Sequence, residues 1–93
     1  MGEGHGRLFD MLKHRVRFDI LSYLSESGPL VTVGSVAVGA GISLQLASYH
    51  LRLMNLFGLV VRVQRGKYVF YGLNLEALRQ ARHVLDSLIG DKT

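Results

Sequence analysis

The stretch from Ser43 to Gly58 constrains this chain most, because it contains a helical pattern together with signals for both helix ends. Ser43 can cap the first turn, since its hydroxyl accepts an N–H group that this turn leaves unpaired. Gly58 suits the other end, where a left-handed residue often stops a helix. Between them, apolar side chains recur at spacings of three and four, which predicts a face against a core: Leu44, Ala47, Leu51 and Met54.

The opposite face of this helix carries hydrogen-bonding side chains and a cation, but no carboxylate. Its members are Gln45, Ser48, Tyr49, Arg52 and Asn55, with His50 at the margin. The first turns of a helix fit into the DNA major groove, where such side chains can read base edges. The alternative is an ordinary solvated face, but such faces usually mix both signs of charge. We therefore interpret this stretch as a DNA-reading helix.

The charge distribution indicates the same kind of partner. The net charge is +4, and no Asp or Glu occurs between Glu26 and Glu76. The cations inside this gap are Arg52, Arg62, Arg65 and Lys67. A basic surface attracts a polyanion through counterion release, so nucleic acid is the expected partner and an acidic membrane is the weaker alternative.

Several classes of protein are excluded by what the sequence lacks. There is no cysteine, which removes disulfides and thiolate metal sites. No apolar run reaches the roughly 18 residues of a membrane span, and the N-terminus lacks the apolar region of a signal peptide. The serines form no recognisable catalytic set, and no phosphate-binding loop is present. We expect a soluble, cytoplasmic protein that is not an enzyme, has no cofactor and does not associate with a membrane.

The first half of the chain predicts a helix-turn-helix. Residues 1–6 contain three glycines and are expected to form a flexible tail, with a single domain over residues 7–93. Helical spacing from Arg7 predicts a first helix that ends near Gly28, either continuous or broken around His14. A short extended segment, a brief helix capped by Thr32 and a turn at Gly41 then precede the helix that Ser43 begins.

After Gly58 the apolar period changes from helical to alternating. Residues 59–64 and 68–73 are rich in β-branched and aromatic side chains, and Arg65-Gly66-Lys67 joins them, which predicts a hairpin with a basic tip. A charged tip by itself is typical of any edge hairpin. Directly after a helix-turn-helix, it is better interpreted as a wing that contacts DNA phosphates.

Asn74 can cap a last helix that Gly90 ends. The apolar stripe of a terminal helix has few neighbours in a small domain, so we expect it to pair with a second copy, together with the apolar face of the first helix. The alternative is that this helix packs only on its own core. The predicted dimer interface consists of Leu8, Met11, Leu12, Leu78, Ala81, Leu85 and Leu88.

With the elements in this order, the chain resembles the ArsR family of winged-helix bacterial repressors over nearly all of residues 8–89. The stretches that carry the resemblance are HRVRFDIL at 14–21, TVGSVAVGAGIS at 32–43, ASYHLRLMNLFGLV at 47–60 and RGKYVFYGLN at 65–74. The resemblance implies an α+β, mainly helical, winged helix-turn-helix of order α-β-α-α-β-β-α. It also implies a homodimer that binds double-stranded operator DNA through paired recognition helices and represses transcription, often until an effector releases it.

Carried over to this sequence, the DNA contacts of the family fall on Gln45, Ser48, Tyr49, His50 and Arg52, with Arg65 and Lys67 in the wing. Gln45 suits adenine, and the cations suit phosphates. Two roles are possible for His50: it contacts DNA, or it supports the helix through a hydrogen bond. Leu44 and Leu46 stand where polar residues are usual, and Leu46 is included as a contact to a thymine methyl group.

The metal-sensing half of the family pattern is missing, because residues 30–38 contain no thiol, carboxylate or imidazole. Two His/Asp pairs are the remaining candidates for metal ligands, Asp10 with His14 and His83 with Asp86. A third ligand is not evident, so we predict no metal site and keep a histidine/carboxylate metal-responsive repressor as an alternative. A second alternative is a winged-helix interaction module with little DNA binding, which docks partners through Leu46, Leu53, Leu56 and Phe57.

Overall fold

The structure, a computed structural model, describes the backbone of residues 2–90 and the side chains of residues 13–90. This part of the chain contains four helices and three strands: α1 (Gly2–Glu26), β1 (Val31–Thr32), α2 (Val33–Ala40), α3 (Leu44–Leu56), β2 (Val60–Arg65), β3 (Tyr68–Leu73) and α4 (Leu75–Gly90). The predicted winged helix-turn-helix order is confirmed. Within residues 2–90, no helix combines the length and the apolar content that a membrane crossing requires.

Helix α1 is longer than its sequence pattern predicts. It begins at Gly2 rather than at Arg7 and continues through His14 without a break. Most of the segment that we expected to be a flexible tail is therefore helical. Each added helical residue brings one backbone hydrogen bond, which offsets the roughly 1 kcal/mol that a glycine costs in a helix. The side chains of four residues predicted to be in an interface or a metal site lie outside the described residues: Leu8, Asp10, Met11 and Leu12.

The helix-turn-helix is bounded by the predicted caps. The Thr32 hydroxyl accepts a hydrogen bond from the Ser35 N–H at 3.2 Å, and the Ser43 hydroxyl accepts one from the Leu46 N–H at 3.1 Å. Gly41 and Gly58 have φ angles of 69° and 77°, a left-handed conformation that favours glycine. These residues end α2 and α3, and they fix the direction in which each following segment leaves.

The core lies where α1, α2 and α3 meet one face of the sheet. Ala47, Leu51 and Met54 of α3 are buried, as their spacing predicts. Leu44 was expected on the same face, but it is 59% exposed because it lies at the first residue of α3, at the edge of the core. The remaining buried apolar side chains are Ile20, Leu24, Val36, Ala37, Val60 and Tyr71.

The sheet is antiparallel with strand order β1-β3-β2. Val31 of β1 and Arg62 of β2 both lie opposite Tyr71 of β3. Arg65 pairs with Tyr68, so β2 and β3 form a hairpin that turns at Gly66 and Lys67. This hairpin is the predicted wing.

Helix α4 has the predicted bounds, and the Oδ1 atom of Asn74 caps it by accepting a hydrogen bond from the Ala77 N–H at 3.2 Å. None of its described residues, 75–90, is buried. The radius of gyration is 15.5 Å, whereas a compact domain of this length has about 12 Å. Much of the apolar surface of α4 is therefore left uncovered by its own chain.

Candidate nucleic-acid interface

The exposed face of α3 is polar and free of carboxylates. Gln45, Tyr49 and Arg52 are all exposed, and their spacing of four and three residues places them in one line along the helix. Tyr49 is 47% exposed, so about half of its surface is available to a ligand. Leu46, at 37%, flanks this line, and Ser48 is half-buried. These side chains are therefore available to an external ligand.

His50 does not belong to this surface, although the family pattern includes it among the DNA contacts. Its side chain is only 2% exposed, because it lies on the side of α3 that faces the core. The ring packs against Tyr49 with an interplanar angle of 75° and a centroid distance of 5.2 Å. Its Nδ1 atom is buried without a hydrogen-bond partner in the described part of the chain. His50 therefore supports α3 by packing rather than through the hydrogen bond that the sequence suggested.

The protonation of His50 is disfavoured by its surroundings. Burial lowers the pKa of its imidazole, and the positive charges of Arg17 and Lys13 lower this pKa further. A buried neutral imidazole beside two cations is stable near neutral pH. Protonation would place a third positive charge between α1 and α3.

The wing presents cations that no carboxylate neutralises. Arg62, Arg65 and Lys67 are exposed, and Lys67 Nζ lies 5.6 Å from the centroid of the Tyr68 ring. Successive strand residues point to opposite faces, so Arg62 and Arg65 lie on different sides of the hairpin. The Gln64 side chain donates a hydrogen bond to the Gly66 carbonyl at 3.2 Å and stabilises the tip. Arg62 was not among the predicted contacts, although the alternation along β2 indicates its exposure.

The ion pairs among residues 13–90 lie on other elements. Arg15 pairs with Asp19 at 3.3 Å on α1, and on α4 Arg79 pairs with Glu76 at 3.2 Å and Arg82 with Asp86 at 3.6 Å. Within residues 13–90, no carboxylate pairs with a cation of α3 or of the wing. The charge of α3 and the wing is therefore available to an external anion.

The three candidate metal ligands with described side chains, His14, His83 and Asp86, form no metal site among themselves. Among the described residues there is no group of three or more His, Cys, Asp or Glu side chains that could hold a metal ion. His14 and His83 are exposed, and the carboxylate of Asp86 faces Arg82.

The predicted dimer residues of α4 are accessible. Leu85 and Leu88 are 57% and 60% exposed, Ala81 is exposed and Leu78 is half-buried. The structure adds Val84 and Ile89, at 56% and 65%, to the same uncovered surface.

A helix-turn-helix followed by a basic hairpin, with a carboxylate-free second helix, defines the winged helix-turn-helix class. Comparison with solved structures identifies the family. A possible transcriptional regulator for arsenical resistance is 32% identical to this chain, with a TM-score of 0.65, over 78% of this chain and 74% of its own. This chain belongs to the ArsR family of winged helix-turn-helix transcriptional regulators.

Other solved structures share the fold. The homodimeric winged helix-turn-helix DNA-binding domain of a possible ArsR-family regulator from Mycobacterium bovis is 22% identical, with a TM-score of 0.60, over 95% of this chain and 86% of that domain. Human N-acetylserotonin methyltransferase is 20% identical over 74% of this chain, with a TM-score of 0.58, but this chain spans only 23% of the enzyme. That likeness concerns the fold alone. No protein-family model matches the chain, and a search of curated proteins gives no match.

Proposed function

We propose that this protein is a homodimeric repressor that binds a palindromic operator in double-stranded DNA through α3 and the wing. The observation that carries the proposal is the exposed, carboxylate-free line of Gln45, Tyr49 and Arg52 on a capped helix. A helix of this kind, in second place of a helix-turn-helix, enters the major groove with its first turns. Membership of the ArsR family supports the same role.

Each side chain has a role that follows from its chemistry. Gln45 lies in the first turn of α3, where an amide can pair with the N6 and N7 atoms of adenine. Leu46 can contact the methyl group of a thymine, and Tyr49 and Ser48 can donate hydrogen bonds to bases or phosphates. The guanidinium and ammonium groups of Arg52, Arg65 and Lys67 bind phosphates, and we add Arg62 to this group. We leave His50 out because it is buried.

The dimer that we propose pairs the apolar surfaces of α4 from two copies, with α1 beside them. Leu85 and Leu88 of α4 would lose their exposure on pairing, at about 25 cal/mol for each Å² of apolar surface buried. Leu8, Met11 and Leu12 are the predicted contribution of α1. A symmetric dimer also doubles the phosphate contacts and explains why this family uses palindromic sites.

The described residues contain no cluster of ligands that would favour regulation by a metal. His14 and His83 lie on exposed helix surfaces, and the carboxylate of Asp86 faces Arg82. We propose a repressor that needs no cofactor and whose effector, if it uses one, is not held by a cysteine site. A cytoplasmic location follows from the proposed DNA partner.

The interaction module is less well supported than DNA binding. Leu56 and Phe57 are indeed 80% and 75% exposed, as a docking surface requires. However, Leu46 and Leu53 are more enclosed, and the ArsR family assignment favours the DNA-binding role.

Fluorescence-anisotropy titration tests the proposal. The purified protein is titrated into labelled duplex from the DNA upstream of its own gene and into a scrambled duplex, each at several salt concentrations. We expect tighter binding to the upstream duplex, with an affinity that falls steeply as salt rises. If neither duplex binds at low salt, the proposed DNA-binding function is wrong.

A further inference from the structure

The backbone N–H and the side-chain amide of Asn74 make three hydrogen bonds that join the end of α3 to the start of α4. Its backbone N–H donates to the Leu59 carbonyl at 3.0 Å, and its side-chain Nδ2 donates to the Gly58 carbonyl at 2.9 Å. Its Oδ1 atom caps α4 by accepting from the Ala77 N–H at 3.2 Å. The two ends of one amide therefore bind the turn after α3 and the first turn of α4.

The turn that Asn74 contacts is itself fixed to α3. The Gly58 N–H donates to the Asn55 carbonyl at 3.0 Å, and the Leu59 N–H donates to the Met54 carbonyl at 2.9 Å. The Asn55 side chain also donates to the Val60 carbonyl at 2.9 Å, which ties the last turn of α3 to β2. A group that holds the Gly58 carbonyl thus holds the end of α3.

Packing does little to hold α4 in place. None of residues 75–90 is buried, and Leu75, directly after Asn74, is 64% exposed. Because α4 packs so little on its own chain, its direction relative to α3 depends strongly on the hydrogen bonds at its first turn. For α4 these bonds come from Asn74.

We propose that Asn74 is a positioning residue, which sets the orientation of α4 relative to α3 and thereby the distance between the two recognition helices of the dimer. The inference rests on the proposed function, in which α4 forms the dimer interface and α3 reads DNA. Two such helices must lie one DNA turn apart, about 34–36 Å, to enter successive major grooves. Asparagine suits the position because its amide accepts at Oδ1 and donates from Nδ2, two separate atoms. Serine has one hydroxyl on a shorter side chain, which could cap α4 but has no second polar atom to reach the Gly58 carbonyl.

A distance measurement between the two recognition helices tests this role without DNA. Because the chain has no cysteine, a single Gln45→Cys substitution places one spin label on each protomer. Pulsed electron–electron double resonance then reports one distance between the two labels of the dimer. Asn74→Ser keeps a cap for α4 but removes the amide donor to Gly58. Ile20→Val, in the core of α1, is the control for a modest loss of stability without any change at Asn74.

We expect a narrow distribution in the labelled parent and in Ile20→Val, and a distribution at least twofold broader in Asn74→Ser with an unchanged dimerisation constant. Equal widths in all three proteins would overturn the inference and leave the dimer intact. A complete lack of a dipolar distance in the parent would refute the dimer itself, and the inference with it.

A second readout separates positioning from stability. In the anisotropy assay, Asn74→Ser should lose about tenfold in affinity for the upstream duplex, while its affinity for the scrambled duplex stays within about twofold of the parent. Ile20→Val should bind both duplexes like the parent. Equal affinity of Asn74→Ser and parent for the upstream duplex would overturn the positioning role, whereas a parent that binds no duplex would refute the proposed function.

Discussion

Removing two cations from the proposed DNA surface should change the salt dependence of binding by a calculable amount. Arg52 on α3 and Arg65 on the wing are exposed, and neither has a carboxylate partner in the described residues. Arg52→Ala with Arg65→Ala removes four of the proposed phosphate contacts from the proposed dimer. Each contact contributes about 0.9 to the slope of log K against log salt, so the slope becomes shallower by about 3.6.

This change of slope is large enough to measure directly. Between about 50 and 200 mM salt, the parent should lose roughly 150-fold more affinity than the double variant. Anisotropy titrations at four or five salt concentrations give both slopes. The matched control is Arg79→Ala with Arg82→Ala, which removes the same charge from α4, where both arginines pair with carboxylates. Equal slopes for the parent and the Arg52/Arg65 variant would refute the proposed surface, as would a control that changes the slope equally.

Three further predictions concern the dimer and the stability of α3. Leu85→Glu should weaken dimerisation at least about 100-fold in sedimentation equilibrium, because it removes two leucines from the proposed interface of each dimer. The control Gln80→Glu should leave dimerisation unchanged. Equal weakening by both variants would contradict the α4 interface. Gly58→Ala should lower the free energy of unfolding in urea by about 1–2 kcal/mol, because φ is 77° while no atom lies within 4 Å of the added Cβ; an unchanged midpoint would contradict this. For His50, burial and two cations lower the pKa in the folded state, so the unfolded chain binds more protons and stability should fall as pH drops below about 6.5. The stability of His50→Gln should lack this dependence on pH. If the difference in stability between His50→Gln and the parent is the same at every pH, the prediction is wrong.

The elements of the fold could be predicted because their signals are local. Ser43, Thr32 and Asn74 are capping residues, and each accepts the hydrogen bond expected of it. The change from helical to alternating spacing at Gly58 identifies the wing in the same way. Caps and periodicity depend on residues within one turn of each other, so no knowledge of the tertiary structure is required.

What could not be predicted depends on distant parts of the chain. The spacing of His50 from Ala47 and Met54 is that of the core face of α3, but only the position of α1 shows that its ring is buried beside Arg17. Gly39 lies within α2, where no local pattern calls for glycine, but a Cβ there would overlap the ring of Tyr23, so glycine allows α2 to approach α1 closely. Both effects arise from the packing of one helix on another.

The link between α3 and α4 was missed for a related reason. Asn74 is recognisable from the sequence as a cap, because Ala77 is three residues away. Its second bond reaches Gly58, sixteen positions earlier, and forms only once the hairpin has folded back. No local pattern encodes that contact.

Selection from a library of randomised duplexes tests most directly whether the exposed face of α3 reads bases. The account predicts that the wild-type protein enriches a palindromic sequence whose half-sites are centred about 10–10.5 base pairs apart. Gln45→Ala should lose the preference at one position of each half-site while keeping most of the affinity. If no sequence is enriched, or if the wild-type protein and Gln45→Ala enrich the same sequence, the claim that α3 reads bases is contradicted.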